Sequence, residues 1–217
     1  MDDQLDSMLR RSGELNEAVL RLLDGADFDP SPRGQSAFLA CAVSIEHAMS
    51  VKVLLAARCP TSVVGLIRMQ FEAVTRGIWL LFAAKDRAIS QLMGPLSTES
   101  EEGASDLPML TGMIEQIGKR VRSGKAPAAA HQMLLGLKVA SWNAMNSFVH
   151  NGIHPLRRQA EVYPLPLVLQ LLRHSNALVA MAGMTLAILT SDSSKTKPMS
   201  QIQRDFADCL PDLLEQH

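Results

Sequence analysis

The sequence is short of aromatic residues, of cysteine and of net charge, and each shortage excludes something. Six Phe, two Trp and one Tyr make up only 4% of 217 residues. Strand-favouring side chains are therefore scarce, and no alternating apolar–polar run argues for a sheet. Cys41, Cys59 and Cys209 are odd in number and far apart, so no disulfide framework, zinc knuckle or redox pair is implied. A net charge of −1, from 21 Lys+Arg and 22 Asp+Glu, excludes binding of polyanions through overall field strength and leaves only a local patch. Neither a Gly-rich phosphate loop nor a G-x-S-x-G hydrolase elbow occurs. The acidic start, with Asp2, Asp3 and Asp6, lacks the basic-then-apolar order of a secretory signal and places the protein in the cytoplasm.

What is present is a helix-forming palette. Hydrophobic residues make up 47%, dominated by Leu, Ala, Val, Ile and twelve Met. That fraction excludes low-complexity disorder, and the length fits one domain with a sizeable core. Three apolar stretches raise the question of a membrane: 37–57, 63–84 and 178–189. The first carries Glu46, His47 and Lys52, and the second Arg68, Glu72 and Arg76. The third falls short of the roughly 20 residues a span needs. Charges in mid-span are costly in lipid, so buried helices are expected and no membrane partner.

The pattern predicts an all-α, up-and-down bundle of about six long helices plus a short C-terminal helix, in one domain over 1–217. An N-terminal amphipathic helix covers 1–24, the bundle core 35–190, and a linker with the last helix 191–217. Within the core the predicted helices are 35–58, 61–93, 108–122, 128–150 and 166–190. A solvated loop with Glu99, Glu101, Glu102 and Asp106 separates the second from the third of these. The stretch after Asn151-Gly152, through Pro155, Pro164 and Pro166, reads as irregular.

Polar residues set in apolar surroundings are the candidates for function. Glu46 lies on a helix apolar nearly all round, which reads as central, so its carboxylate needs a partner. Arg68, Glu72 and Arg76 recur every fourth residue on the next helix. Two readings stand for them: an exposed ion-pair ladder, or arginines reaching Glu46 within a cleft. From Ala126 to Leu156 the one formally charged side chain is Lys138, while Asn143, Asn146, Ser147 and His150 share a face. An uncharged polar face is better explained by packing against protein or by lining a pocket than by solvent. His154, Arg157 and Arg158 follow beside the irregular loop. His150 and His154 lack a third ligand, so neither a metal nor a cofactor is expected.

The combination Arg68-Met-Gln-Phe-Glu72-Ala on one long helix, with Asn146-Ser-Phe-Val-His150-Asn-Gly152 on a later one, resembles uncharacterised bacterial helical proteins in or near the HEPN superfamily. The resemblance covers roughly 35–190. It implies a helical bundle that forms a homodimer, with RNA or another protein as partner. Many members are ribonucleases whose arginine, four to six residues before a histidine, helps cleave RNA by acid–base chemistry at the ribose 2′-hydroxyl. Here those arginine slots ahead of His150 hold Asn143, Ala144 and Met145. The resemblance therefore carries over His150 alone as a catalytic residue, and the reading leans away from an enzyme. It favours a role in interaction or regulation, in a defence or toxin–antitoxin setting. One alternative is a divergent metal-independent ribonuclease using His150, with Arg157 and Arg158 as phosphate contacts. A bundle with a Met-lined pocket for a small apolar ligand is the other.

Overall fold

A computed structural model describes residues 2–95, 97–98, 106–190 and 192–211. Among these, nine α-helices and two short 3-10 turns are present: α1 (Asp2–Leu23), α2 (Pro32–Ala56), α3 (Pro60–Phe82), α4 (Asp86–Met93), α5 (Leu110–Arg122), α6 (Ala128–Val149), α7 (Ile153–Ala160), α8 (Leu165–Leu189) and α9 (Thr196–Asp205). The turns are Ser193–Lys195 and Ala207–Cys209. One isolated antiparallel bridge, Phe28 to Thr190, is the sole β-type pairing among the described residues. The chain is all-α, but the expected count of about six long helices plus one short helix is wrong. Of the predicted acidic loop, Glu99, Glu101 and Glu102 lie outside the described residues.

Two features, one of them distant in sequence, account for the extra helices. The long helix predicted over 61–93 stops at Phe82 because Arg33, from the start of α2, collects its last carbonyls. Arg33 donates to the Leu80 carbonyl (2.6 Å) and the Ala84 carbonyl (2.9 Å), and pairs with Asp86 (2.7 Å) at the first turn of α4. Arg120 adds a bond to the Phe82 carbonyl (2.8 Å). The stretch after Gly152 folds into α7 because Pro155 falls in its first turn, where a missing N–H costs no helical bond. Helix α2 also starts three residues earlier than expected: Pro32 is its first residue and Ser31 caps it, accepting from the Gly34 N–H (3.1 Å).

Helix α3 is the hub, touching α2, α5, α6, α7 and α8. Its approach to α2 is close at Gly77, where a Cβ would sit 2.8 Å from the Cys41 sulfur and 3.3 Å from the Ala37 carbonyl. Helix α8 is wrapped by α1, α2, α3 and α9. Polar bonds cross this apolar interior. Gln70 on α3 donates to the Ser175 carbonyl (3.0 Å) and accepts from the Ser175 hydroxyl (2.8 Å) on α8, while Ser44 on α2 bonds the Gln70 carbonyl (3.2 Å). Asn176 donates to the Ser12 hydroxyl (2.8 Å) and to the Cys209 carbonyl (2.9 Å), tying α1 and the C-terminal turn to α8. Arg11 reinforces that tie through an ion pair with Asp208 (3.0 Å) and by lying over the Phe206 ring. Among the described residues no buried side-chain nitrogen or oxygen lacks a partner. Helices α2 and α8 are each long and apolar enough to cross a membrane by length and composition.

Candidate functional site

Antiparallel packing of α6 on α3 creates a polar contact centred on Arg68. Arg68 Nε donates to Asn146 Oδ1 (2.9 Å), and its Nη1 pairs with Glu72 (2.5 Å) one turn along α3. The guanidinium carbon lies over the Trp142 ring, 3.8 Å from its centroid, and Trp142 meets Phe71 edge-on at 6.3 Å. Arg68 is 12% exposed at its side chain, so the stacking acts where water screens little. A planar cation, a carboxylate and an amide thus hold one another in place, a job for which lysine is a poor substitute.

Arg76, one further turn along, is placed differently. It is half-buried, and burial pushes its pKa below the ordinary arginine value, with the Glu72 charge partly opposing. On the wheel of α3, Leu66 points towards α2 and both Arg68 and Phe71 towards α6. Met69, Glu72 and Arg76 therefore occupy the outward face between those two helices.

Glu46 is not part of this cluster. It lies exposed on the outer face of α2, beside a groove of about 520 Å³ lined with Met49, Ser50, Val53, Leu54 and Leu66. The expected pairing of Glu46 with Arg68 or Arg76 does not form, because Arg68 takes Glu72 and Asn146 instead. A helix apolar on every side carries no mark of which side faces out.

The rest of the α6 polar row does structural work or faces solvent. Asn143 and His150 are exposed. His150 is the C-cap of α6, and the residues after it form a Schellman closure: Gly152 N–H to Ser147 carbonyl (2.7 Å) and Asn151 N–H to Phe148 carbonyl (3.3 Å). Asn151 is in the left-handed region (φ 51°), and a Cβ on Gly152 would meet the Ser147 hydroxyl at 2.6 Å. The Ser147 hydroxyl accepts from the His154 N–H (3.2 Å), joining α6 to α7. His154 is exposed, with its ring 6.2 Å from Phe148, and Arg157 is exposed as well. Arg158 pairs loosely with Glu161 (3.4 Å) at the rim of a separate groove.

That groove, about 490 Å³, runs between the α2–α3 corner and the α7–α8 connection. Leu5, Leu55, Leu165 and Val168 form its apolar wall, and Thr61 shares a hydrogen bond with Tyr163 (3.0 Å) across it. No methionine lines it. Among the described residues no group of three or more His, Cys, Asp or Glu could hold a metal ion.

Three groups escaped sequence reasoning. Trp142 is not singled out by the sequence, since nothing along α6 alone says that the turn before Asn146 lies against Arg68. Lys52 turns inward: with the Asn16 amide oriented to suit both neighbours, Lys52 donates to the amide oxygen (2.5 Å) and the amide nitrogen donates to the Ser12 carbonyl (3.2 Å). Burial brings the Lys52 pKa down to about 8. The third is the outer surface of α2, where Leu39 (52%), Val43 (46%), Met49 (52%) and Val53 (67%) are exposed within one broad sector of the helix. The i, i+4 pairs 39/43 and 49/53 were visible, but they were hidden among the equally apolar residues of the inner face.

No curated protein and no solved structure matches the chain. A family model does match, over residues 41–212, a span from the middle of α2 through the C-terminal turn that contains Arg68, Glu72, Trp142 and Asn146. The chain belongs to that family, described as a family of unknown function, DUF6988.

Proposed function

We propose that the protein acts by interaction rather than by chemistry, and that it associates with a second copy of itself through the outer face of α2. The observation that carries this reading is the exposed sector of Leu39, Val43, Met49 and Val53. Together these side chains offer a patch on the order of 400 Å², the size at which an exposed apolar surface marks an interaction site. A net charge of −1 puts no long-range repulsion between two copies. Against a ribonuclease, Arg68, half-buried beside the α6 polar row, is held by Glu72, Asn146 and Trp142, which leaves it poorly placed to receive a phosphate. His150, exposed at a helix end, has no Lys or Arg hydrogen-bonded to it among the described residues.

Sedimentation of the wild-type chain and of Val53→Glu tests the reading. The wild type should sediment as a dimer, and the variant as a folded monomer with unchanged helical circular dichroism. A wild-type monomer, or a Val53→Glu protein that dimerises as the wild type does, would end it.

A further inference from the structure

The proposal of self-association leaves open how the two copies meet, and the residues on the α2 surface narrow this to one arrangement. We propose that α2 of one copy crosses α2 of the other antiparallel, with the crossing near residues 46–50, so that each Glu46 meets Ser50 of the second copy. This inference rests on the reading that the α2 face is the docking surface.

The outer sector of α2 is apolar at both ends and polar in the middle. Leu39 and Val43 occupy its N-terminal half, Met49 and Val53 its C-terminal half, and Glu46 with Ser50 lies between. A two-fold interface presents the same patch from both subunits, so the patch must complement itself. In-register parallel pairing lays Glu46 on Glu46, and two carboxylates at close range cannot both stay ionised without cost. Antiparallel pairing about residue 48 instead sets Val43 against Val53 and Glu46 against Ser50. The apolar ends then cover each other, and every Glu46 gains a hydroxyl donor.

That donor is available. In the single chain the Ser50 hydroxyl donates to the Glu46 carbonyl one turn back (3.2 Å), a bond that a carboxylate acceptor would better. A polar pair in an otherwise apolar seam also fixes register, at some expense of stability. The exposed Met69 of α3 and the groove beside Met49 and Val53 flank the sector and extend it towards the roughly 800 Å² per partner of a standard interface.

The chemistry of the face argues against a lipid surface as its occupant. Helices that lie on membranes carry Lys or Arg along the edge of the apolar face. Here Arg33 is consumed by the Leu80 and Ala84 carbonyls and Asp86, Lys52 is turned to Asn16, and the charge on the sector itself is the carboxylate of Glu46.

Cysteine cross-linking of the full chain distinguishes the arrangements. In a Cys59→Ser background, Val43→Cys and Val53→Cys proteins are oxidised separately and as a mixture. Antiparallel pairing predicts that the mixed 43–53 disulfide dominates, since two copies of residue 43 would lie about 15 Å apart, too far for a disulfide. Dominant 43–43 and 53–53 products would overturn the antiparallel arrangement while leaving self-association intact. No cross-link in any combination, with a monomeric parent protein, would remove the docking face itself. Flotation of that monomer with anionic phospholipid vesicles would overturn the inference in favour of a membrane.

Discussion

Helices α2 and α8 are a matched pair with opposite fates. Each has 25 residues, each is apolar enough to pass for a membrane span, and each packs against α3. Yet 72% of the most apolar stretch of α8 is buried, against 33% of that of α2. Helix α8 is covered by four other helices, so its composition is explained within one chain. Helix α2 leans on its neighbours along one side and leaves Leu39, Val43, Met49 and Val53 in solvent. Apolar composition therefore identifies what has to be covered, and the fold decides what covers it.

The sharpest way to break the comparison is to shorten equivalent side chains on both helices. Leu178→Ala, at a fully buried position on α8, should cost about 3–5 kcal/mol and lower the melting temperature by about 10 °C. Val53→Ala on α2, read at a protein concentration low enough to keep the chain monomeric, should stay within about 0.5 kcal/mol of the wild type. Equal losses at the two sites would mean that the outer face of α2 is packed within the single chain.

A second test concerns the polar bonds that join the two helices through α3. Gln70→Ala strips the Ser175 hydroxyl of its acceptor and should cost about 2–3 kcal/mol in urea unfolding, from the lost bonds together with the cavity. Arg68→Lys keeps the charge but loses the stacking on Trp142, and should cost about 1 kcal/mol, with a change in Trp fluorescence. An Arg68→Lys protein with wild-type stability and emission would show that the stacking does nothing for the α3–α6 contact.

The smallest effect belongs to Lys52, on the inner side of α2. Its folded pKa of about 8 is below the ordinary 10.5. Between those values the unfolded chain binds the proton and the folded chain does not, so this group adds stability as pH rises through that window. Below about pH 8 both states are protonated and the burial of the charge is a constant cost. The melting temperature of the wild type should therefore gain on that of Lys52→Met between pH 7.5 and 9.5, by about 1–3 °C after allowance for solvent screening. Parallel pH profiles for the two proteins would show that Lys52 is solvated and that α2 is open on its inner side too.

How much of this was legible beforehand follows from which signals are local. The all-α class is written in the composition, and α6 and α8 begin at Pro127 and Pro164, breaks visible in the chain itself. The end of α3 is not local: it is set by Arg33, about fifty residues earlier in sequence. Helix α7 hid behind Pro155, which excludes a helix interior but suits a first turn. At the candidate site, the contact of Arg68 with Glu72 follows from a spacing of four on one helix. The amide of Asn146 and the ring of Trp142 come from another helix, and their arrival around Arg68 is a property of the packing. Glu46 shows the converse, because on a helix without a polar face nothing local says which side is outward.

Sedimentation equilibrium of the full chain beside its Val53→Glu variant bears most directly on the claim that α2 completes its burial against a second copy. The account predicts a wild-type mass of two 23.6 kDa chains and a variant mass of one, both equally helical. A wild-type protein that stays at the mass of one chain across the accessible concentration range would contradict it.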